Sequence, residues 1–333
     1  MISKARGRVK SLVAFGIAGL LLVAFMAPAV ANNGNGQSNG GVGTQGATGE
    51  CQETGVDGLT AHYVNEVPHY SLDVECDIGI FFDQNGRINN VEIRGTEGNE
   101  TSQQFGVYVH GANVDLTNSS VSVEADYRDQ FVSVSYRAGS SGNVRGNVLE
   151  GAHRVGLLIR GADTSVQARG NTITGSGAKT SNWAENGIQI DQQAHAVVAN
   201  NEVHDHYWAN NDWVSSGIVV FDTSRVNVQR NTITGGDMGL WLEGENHTAI
   251  HNTIETSSGE DTNVWNDGVY IDGANIGLRH NNIRALREDN GDVGVWVLGS
   301  NNKLIGNFIE DFADPILDFA EGTKLPSPFD PGS

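Results

Sequence analysis

The sequence predicts an all-β fold: a single-stranded right-handed parallel β-helix of about nine rungs, with caps at both ends. Two repeats and one absence predict it. First, a Gly followed by apolar–any–apolar recurs at Gly106-Val107-Tyr108-Val109, Gly156-Leu157-Leu158-Ile159, Gly187-Ile188-Gln189-Ile190 and Gly217-Ile218-Val219-Val220, then at Gly239-Leu240-Trp241-Leu242, Gly268-Val269-Tyr270-Ile271 and Gly294-Val295-Trp296-Val297. Second, Asn–any–aliphatic follows at Asn147/Leu149, Asn171/Ile173, Asn201/Val203, Asn231/Ile233, Asn252/Ile254, Asn281/Ile283 and Asn307/Ile309, with successive Asn 21 to 30 residues apart. Third, no comparable segment shows a helical period of 3.6, so no helices are available to cover a sheet.

Alternation with period two places one face of a strand in a core. A strand pattern that returns with no room for a crossover helix suits a coil whose rungs stack in parallel, each burying its apolar side chains against the next. Nine rungs at the strand spacing make a rod ~40 Å long. The Asn suits a turn, because it tolerates a left-handed backbone and bonds neighbouring main chain. Stacked between rungs, Asn171, Asn201, Asn231 and Asn252 would form an inward ladder. The Gly ahead of each strand marks a tight bend.

The segments outside the repeat are read from composition. Lys4, Arg6, Arg8 and Lys10 precede an apolar run from Leu12 to Met26, and Ala29-Val30-Ala31 supplies small residues, so residues 1–31 read as a cleaved signal peptide. Residues 32–50 are nearly all Asn, Gly, Gln, Ser and Thr and read as a flexible linker. Residues 51–333 form the β-helix domain with its caps. Cys51 and Cys76 are the only two cysteines, and in an exported chain one disulfide is the expectation. No membrane span is expected after cleavage, and the expected location is extracellular or at the cell surface.

Charge narrows the partners. All four charges of the signal segment are basic, which leaves 16 Lys plus Arg against 40 Asp plus Glu. Such a surface repels nucleic acid and anionic lipid. It also favours neutral or cationic sugars, or acidic ones bridged by Ca²⁺, over a bare acidic polymer. Salt screens its self-repulsion, and the composition is similar to that of proteins secreted by halophilic archaea.

The repeats resemble the pectin-lyase-like right-handed β-helix superfamily, which includes pectate lyases, polygalacturonases and periplasmic copper-maturation proteins, over roughly residues 75–312. The resemblance implies the fold. For activity it is nearly silent, because this scaffold carries lyases, hydrolases, epimerases, adhesins and inert surface proteins. The polygalacturonase pattern needs an adjacent Asp-Asp pair, which is absent, and Arg–any–Lys, which occurs only in the signal segment at Arg8-Val9-Lys10. The epimerase Asp-Pro-His is absent too. Val269-Tyr270-Ile271-Asp272 is faintly similar to a pectate-lyase strand, but Gly273 stands where that motif has His.

Function is therefore sought in the loops between each Asn strand and the next Gly strand. All six Trp fall in this zone. Trp183, Trp208, Trp213 and Trp265 lie in the loops, while Trp241 and Trp296 take the outward central position of their strands, as Tyr108 and Tyr270 do. Aromatic rings along a rod suit the apolar faces of sugars. Ligand contact is placed on Gln189, Trp241 and Tyr270, walled by Trp183, Trp208 and Trp213. The alternative is that the loops fold over these rings in a core of their own. Asp191, Asp212 and Asp222, with Arg160, are the candidates for catalysis by a polysaccharide lyase or glycoside hydrolase. Arg137 and Arg154 lie on nearby rungs. The same carboxylates offer oxygen ligands to Ca²⁺, and His204-Asp205-His206 on a strand would put two imidazoles on one face. The metal ligands are otherwise unassigned, and enzymatic activity is left open. The expected function is binding of polysaccharide outside the cell, set against catalysis on such a polymer and against a structural role in the envelope.

Overall fold

The computed structural model describes residues 50–95, 103–123, 130–178, 184–209, 214–257, 266–286, 293–320 and 322–323. All of the described residues belong to the second of the two units into which the chain divides, Ala47–Ser333. The expected signal peptide and nearly all of the expected linker lie outside the described residues. No helix among the described residues is long and apolar enough to cross a membrane.

The second unit is a right-handed parallel β-helix. One coil runs through Val155–Arg160, Ser165–Arg169 and Thr172–Thr174 before the chain begins the next at Asn186–Asp191. Each strand pairs in parallel with the strand one coil on, as Val155–Arg160 does with Asn186–Asp191. The result among the described residues is three sheets of 12, 9 and 10 strands, called sheets 1, 2 and 3 in the order a coil visits them. The alternation sets the register, with Ile188 opposite Ile218 and Ile190 opposite Val220. These four side chains share one fully buried core with Val166 and Ala168 of sheet 2 and Ile173 of sheet 3. Each such aliphatic side chain contributes on the order of 1.5–3 kcal/mol by leaving water, and stacking supplies that burial to every rung.

The glycines that open the sheet 1 strands are not bends. None of Gly156, Gly187, Gly217 or Gly239 has a positive φ. They are there because two parts of the coil approach closely. A Cβ on Gly217 would sit 2.4 Å from Cγ2 of Ile233 and 3.0 Å from the carbonyl oxygen of Gly239. The left-handed backbone is also shifted from its expected place. It falls on the residue before each ladder Asn, as at Asn200 (φ 55°), Arg230 (φ 53°), His251 (φ 58°) and His280 (φ 54°).

The ladder Asn point inward and saturate their hydrogen bonds. The Asn201 amide donates to the Ala168 carbonyl at 3.0 Å and to Oδ1 of Asn231 at 2.9 Å. Its own Oδ1 accepts the Asn171 backbone N–H at 3.0 Å and the Asn171 side-chain amide at 2.9 Å. Two donors and two acceptor positions are all an amide has. The same pattern links Asn147, Asn171, Asn201, Asn231, Asn252, Asn281 and Asn307.

The start of the stack is closed by a short antiparallel pair, Gln52–Glu53 on Thr60–Val64. Cys51 and Cys76 are joined in a disulfide with Cα atoms 5.8 Å apart. Beside it, Oδ2 of Asp77 accepts the Thr60 N–H and hydroxyl, both at 2.9 Å. Outside the main core, Ile78, Phe81, Phe105, Tyr108, Val132 and Leu158 form a second cluster on the outer face of sheet 1.

Candidate functional site

The outer face of sheet 1 holds the residues that the sequence singles out. Pairing aligns Ser135, Leu158, Gln189, Val219, Trp241, Tyr270 and Trp296 in one row across successive rungs. The outward parity follows from the inward setting of Ile188, Ile190, Leu240 and Leu242. Outward does not mean exposed. Tyr270 is 2% exposed, Trp296 fully buried and Gln189 8% exposed. Trp208, expected in the wall of a ligand groove, is 2% exposed. Of the two expectations for these rings, ligand contact or a layer of their own, Tyr270, Trp296 and Trp208 follow the second, and Trp241 in the row's aromatic part is partly exposed. Trp183, Trp213, Trp265 and Asp212 lie outside the described residues.

Trp241 leans on Tyr270, with ring centroids 4.5 Å apart and planes at 48°. Two residues further along the same strands, Glu243 pairs with Asp272. Burial first, then the Asp272 charge, with a smaller part from Asp222, raises the Glu243 carboxyl above the usual carboxylate range. Burial and Asp272 likewise raise the Tyr270 phenol. Asp222 is exposed, at a register shift between Val220 and Thr223. It also lines a surface groove of about 470 Å³ with Asp163, His195, Arg225 and Glu245. A partly open ring, a carboxyl that holds its proton to a higher pH and charged carboxylates nearby can stack, donate and accept against a polyhydroxylated ligand.

Charge of the opposite sign gathers at the other end of the face. Arg160 grips Asp191 through two hydrogen bonds, Nε to Oδ1 at 2.7 Å and Nη2 to Oδ2 at 2.5 Å. The Gln189 amide donates to Asp191 at 2.6 Å, so this fully buried carboxylate is engaged on both oxygens. Asp191 and Arg160 are thus brought together as an ion pair, while Asp222 is exposed on the next strand of the sheet. One rung earlier, the Arg137 Nε donates to the Ser135 hydroxyl at 3.0 Å. Its guanidinium lies 5.1 Å from the Phe105 ring centre and 5.3 Å from that of Tyr108. Burial, then the charges of Arg160 and Arg137, lowers the Arg154 guanidinium to about 10. Sequence reasoning singled out Arg160 but left Arg137 and Arg154 undistinguished, because the register that sets Arg137 beside Arg160 and the charge coupling of Arg154 to both arise only in the fold.

The His pair does not form. The strand ends at His204, and Asp205 takes a left-handed φ of 60°. His206 turns inside and meets buried Glu185 at 3.0 Å, while His204 faces Thr234. Among the described residues no group of three or more His, Cys, Asp or Glu side chains is placed to hold a metal ion.

No curated protein matches the chain. Among solved structures, it is similar to the crystal structure of the Dettilon tailspike protein (gp208), at 13% identity and a TM-score of 0.35, over 77% of this chain and 61% of that one. The chain thus spans less than two thirds of the tailspike's length. A family described as the right handed beta helix region matches residues 132–309, more than half of the chain. These are the rungs whose Gly strands and Asn ladder are described above, and the chain belongs to that right-handed β-helix family.

Proposed function

We propose that this protein binds polysaccharide outside the cell through the outer face of sheet 1. The observation that carries the reading is Trp241: a partly exposed ring set 4.5 Å from Tyr270, with Glu243, Asp272 and Asp222 close by. Sugars offer apolar C–H faces to such a ring and hydroxyls to such carboxylates. Export through the N-terminal segment and tolerance of high salt by the acidic surface belong to the same proposal.

Titration calorimetry with a panel of glycans tests it. The parent protein should give saturable binding to at least one glycan, and Trp241→Ala should weaken that binding by about 1–3 kcal/mol, the cost of an aromatic hot spot. A folded parent with no saturable response to any glycan sinks the reading and moves a structural role in the envelope ahead.

A second reading is supported by the raised carboxyl of Glu243 beside Asp272. A carboxyl whose proton is held above the usual carboxylate range is the kind of group that serves as general acid at a glycosidic bond, and a second carboxylate completes such a pair. In the same panel, release of new reducing ends that Glu243→Gln abolishes would make the protein a hydrolase.

A further inference from the structure

The arginines at the N-terminal end of the binding face ask for an anion. In a chain with 40 acidic and 20 basic residues, Arg137, Arg154 and Arg160 nonetheless converge on adjacent rungs of one sheet. Tyr136 pairs with Ile159, so Arg137 and Arg160, the residues that follow them, are neighbours across the sheet. Among the described residues, the carboxylate that acts on all three is Asp191. Arg160 already takes it in a two-pronged grip at 2.7 and 2.5 Å. The Arg137 Nη2 is buried and has no hydrogen-bond partner. Leaving a donor of a charged group buried and unmade is costly. The rest of that side chain is held firmly: Nε on Ser135, the plane over Phe105 and Tyr108. All three arginines nevertheless keep part of their surface open to solvent.

We propose that Arg137, flanked by Arg154 and Arg160, binds an anionic substituent of a polysaccharide, a carboxylate or a sulfate ester. The planar fork of an arginine matches both oxyanions, and pairing across two parallel bonds adds direction to charge. The acidic composition favours neutral or cationic sugars, or acidic ones bridged by Ca²⁺, but the local field of three neighbouring arginines outweighs a screened global one. The inference rests on the glycan reading and narrows it to acidic polymers. Arg137 and Trp241 lie four rungs apart on sheet 1, ~19 Å at the strand spacing, so one polymer laid along the helix axis reaches both.

The test is calorimetry on the full chain with three probes at fixed ionic strength: a uronate oligosaccharide, a sulfated dextran and neutral dextran. Parent protein should bind at least one acidic probe, with affinity that falls as NaCl rises. Arg137→Gln should weaken that binding by about tenfold or more, and Arg137→Lys should restore part of it. Binding of the uronate alone assigns a carboxylate, of the sulfated probe alone a sulfate, and of both a general oxyanion site; each supports the proposal. Acidic binding of equal strength in parent and folded Arg137→Gln overturns it. Should Arg137→Gln fail to fold, competition decides: inorganic sulfate displacing the acidic probe from the parent supports the site, and no displacement overturns it. Neutral dextran binding with no acidic binding overturns the arginine site and leaves the Trp241 reading intact. Binding of none of the probes overturns both.

Discussion

Single side chains in this fold carry unusually large consequences because each is repeated contact for two neighbouring rungs. Asn201 uses both donors and both acceptor positions inside the core. Asn201→Leu deletes four hydrogen bonds and strands the Asn171 N–H and the Ala168 carbonyl, so a loss of about 1–3 kcal/mol for the groups left unpaired is expected. Denaturant titration of parent and variant checks it; equal midpoints would make the residue a turn former only. His247 makes a different prediction. It is buried, its Nδ1 accepts the Val226 N–H at 3.1 Å, and its Nε2 faces the Glu243 carbonyl at 3.1 Å. That pairing fits the neutral ring, and burial lowers the imidazole to about 4. An unfolded chain takes up the proton near pH 6.5, the folded one only near 4, so stability falls as pH drops through that window and levels below it. The loss expected is about 3 kcal/mol, at 1.36 kcal/mol per pKa unit. Stability measured from pH 7 to pH 4 should therefore decline less steeply in His247→Gln than in the parent.

At the scale of the element, the repeated strand is specified by what cannot fit as much as by what packs. Gly217→Ala would push a methyl to 2.4 Å from the Ile233 side chain and 3.0 Å from the Gly239 carbonyl, with no flexible side chain to give way. Forcing atoms into such a contact costs about 1–3 kcal/mol or more, and a lowered melting temperature in Gly217→Ala is the expected readout. An unchanged melt would mean that the rungs can part locally. These elements were largely legible beforehand: the period-two apolar residues and the Asn spacing carry both the parallel pairing and the ladder. The reason assigned to the glycines was not legible, because a Gly reads alike whether it serves a bend or a close approach. The left-handed turn residue escaped for a similar reason: in Asn200-Asn201 both candidates are Asn, and Arg230, His251 and His280 hold that backbone with side chains seldom chosen for it. The site was legible only in part. Parity along a strand tells that Tyr270 and Trp296 leave the core, but not that a second layer covers them. Likewise Arg137, Arg154 and Arg160 are spread over 24 positions of sequence, and only stacking brings them to one place.

At the scale of the molecule, stability runs along one axis. Each rung touches mainly its neighbours, so the ends are where the stack opens first. The disulfide from Cys51 to Cys76 closes a separation of 25 residues at the first rungs. Its reduction should cost about 3 kcal/mol in the chain-entropy view, and hydrogen exchange should accelerate first in residues 52–82, with the central rungs unaffected. Uniform acceleration would mean a single cooperative unit. The ladder has one further consequence for the whole rod. Every amide from Asn147 to Asn281 hands its N–H to the Asn of the following rung, and none hands it back. Seven side-chain dipoles are therefore wired head to tail, each polarising the next. The two ends of the interior are electrically unlike, with acceptor character toward the first coils and donor character toward the last. A ladder amide set beyond Asn307 would find a donor facing it, whereas the position before Asn147 has to bring its own, as the Ser119 N–H does.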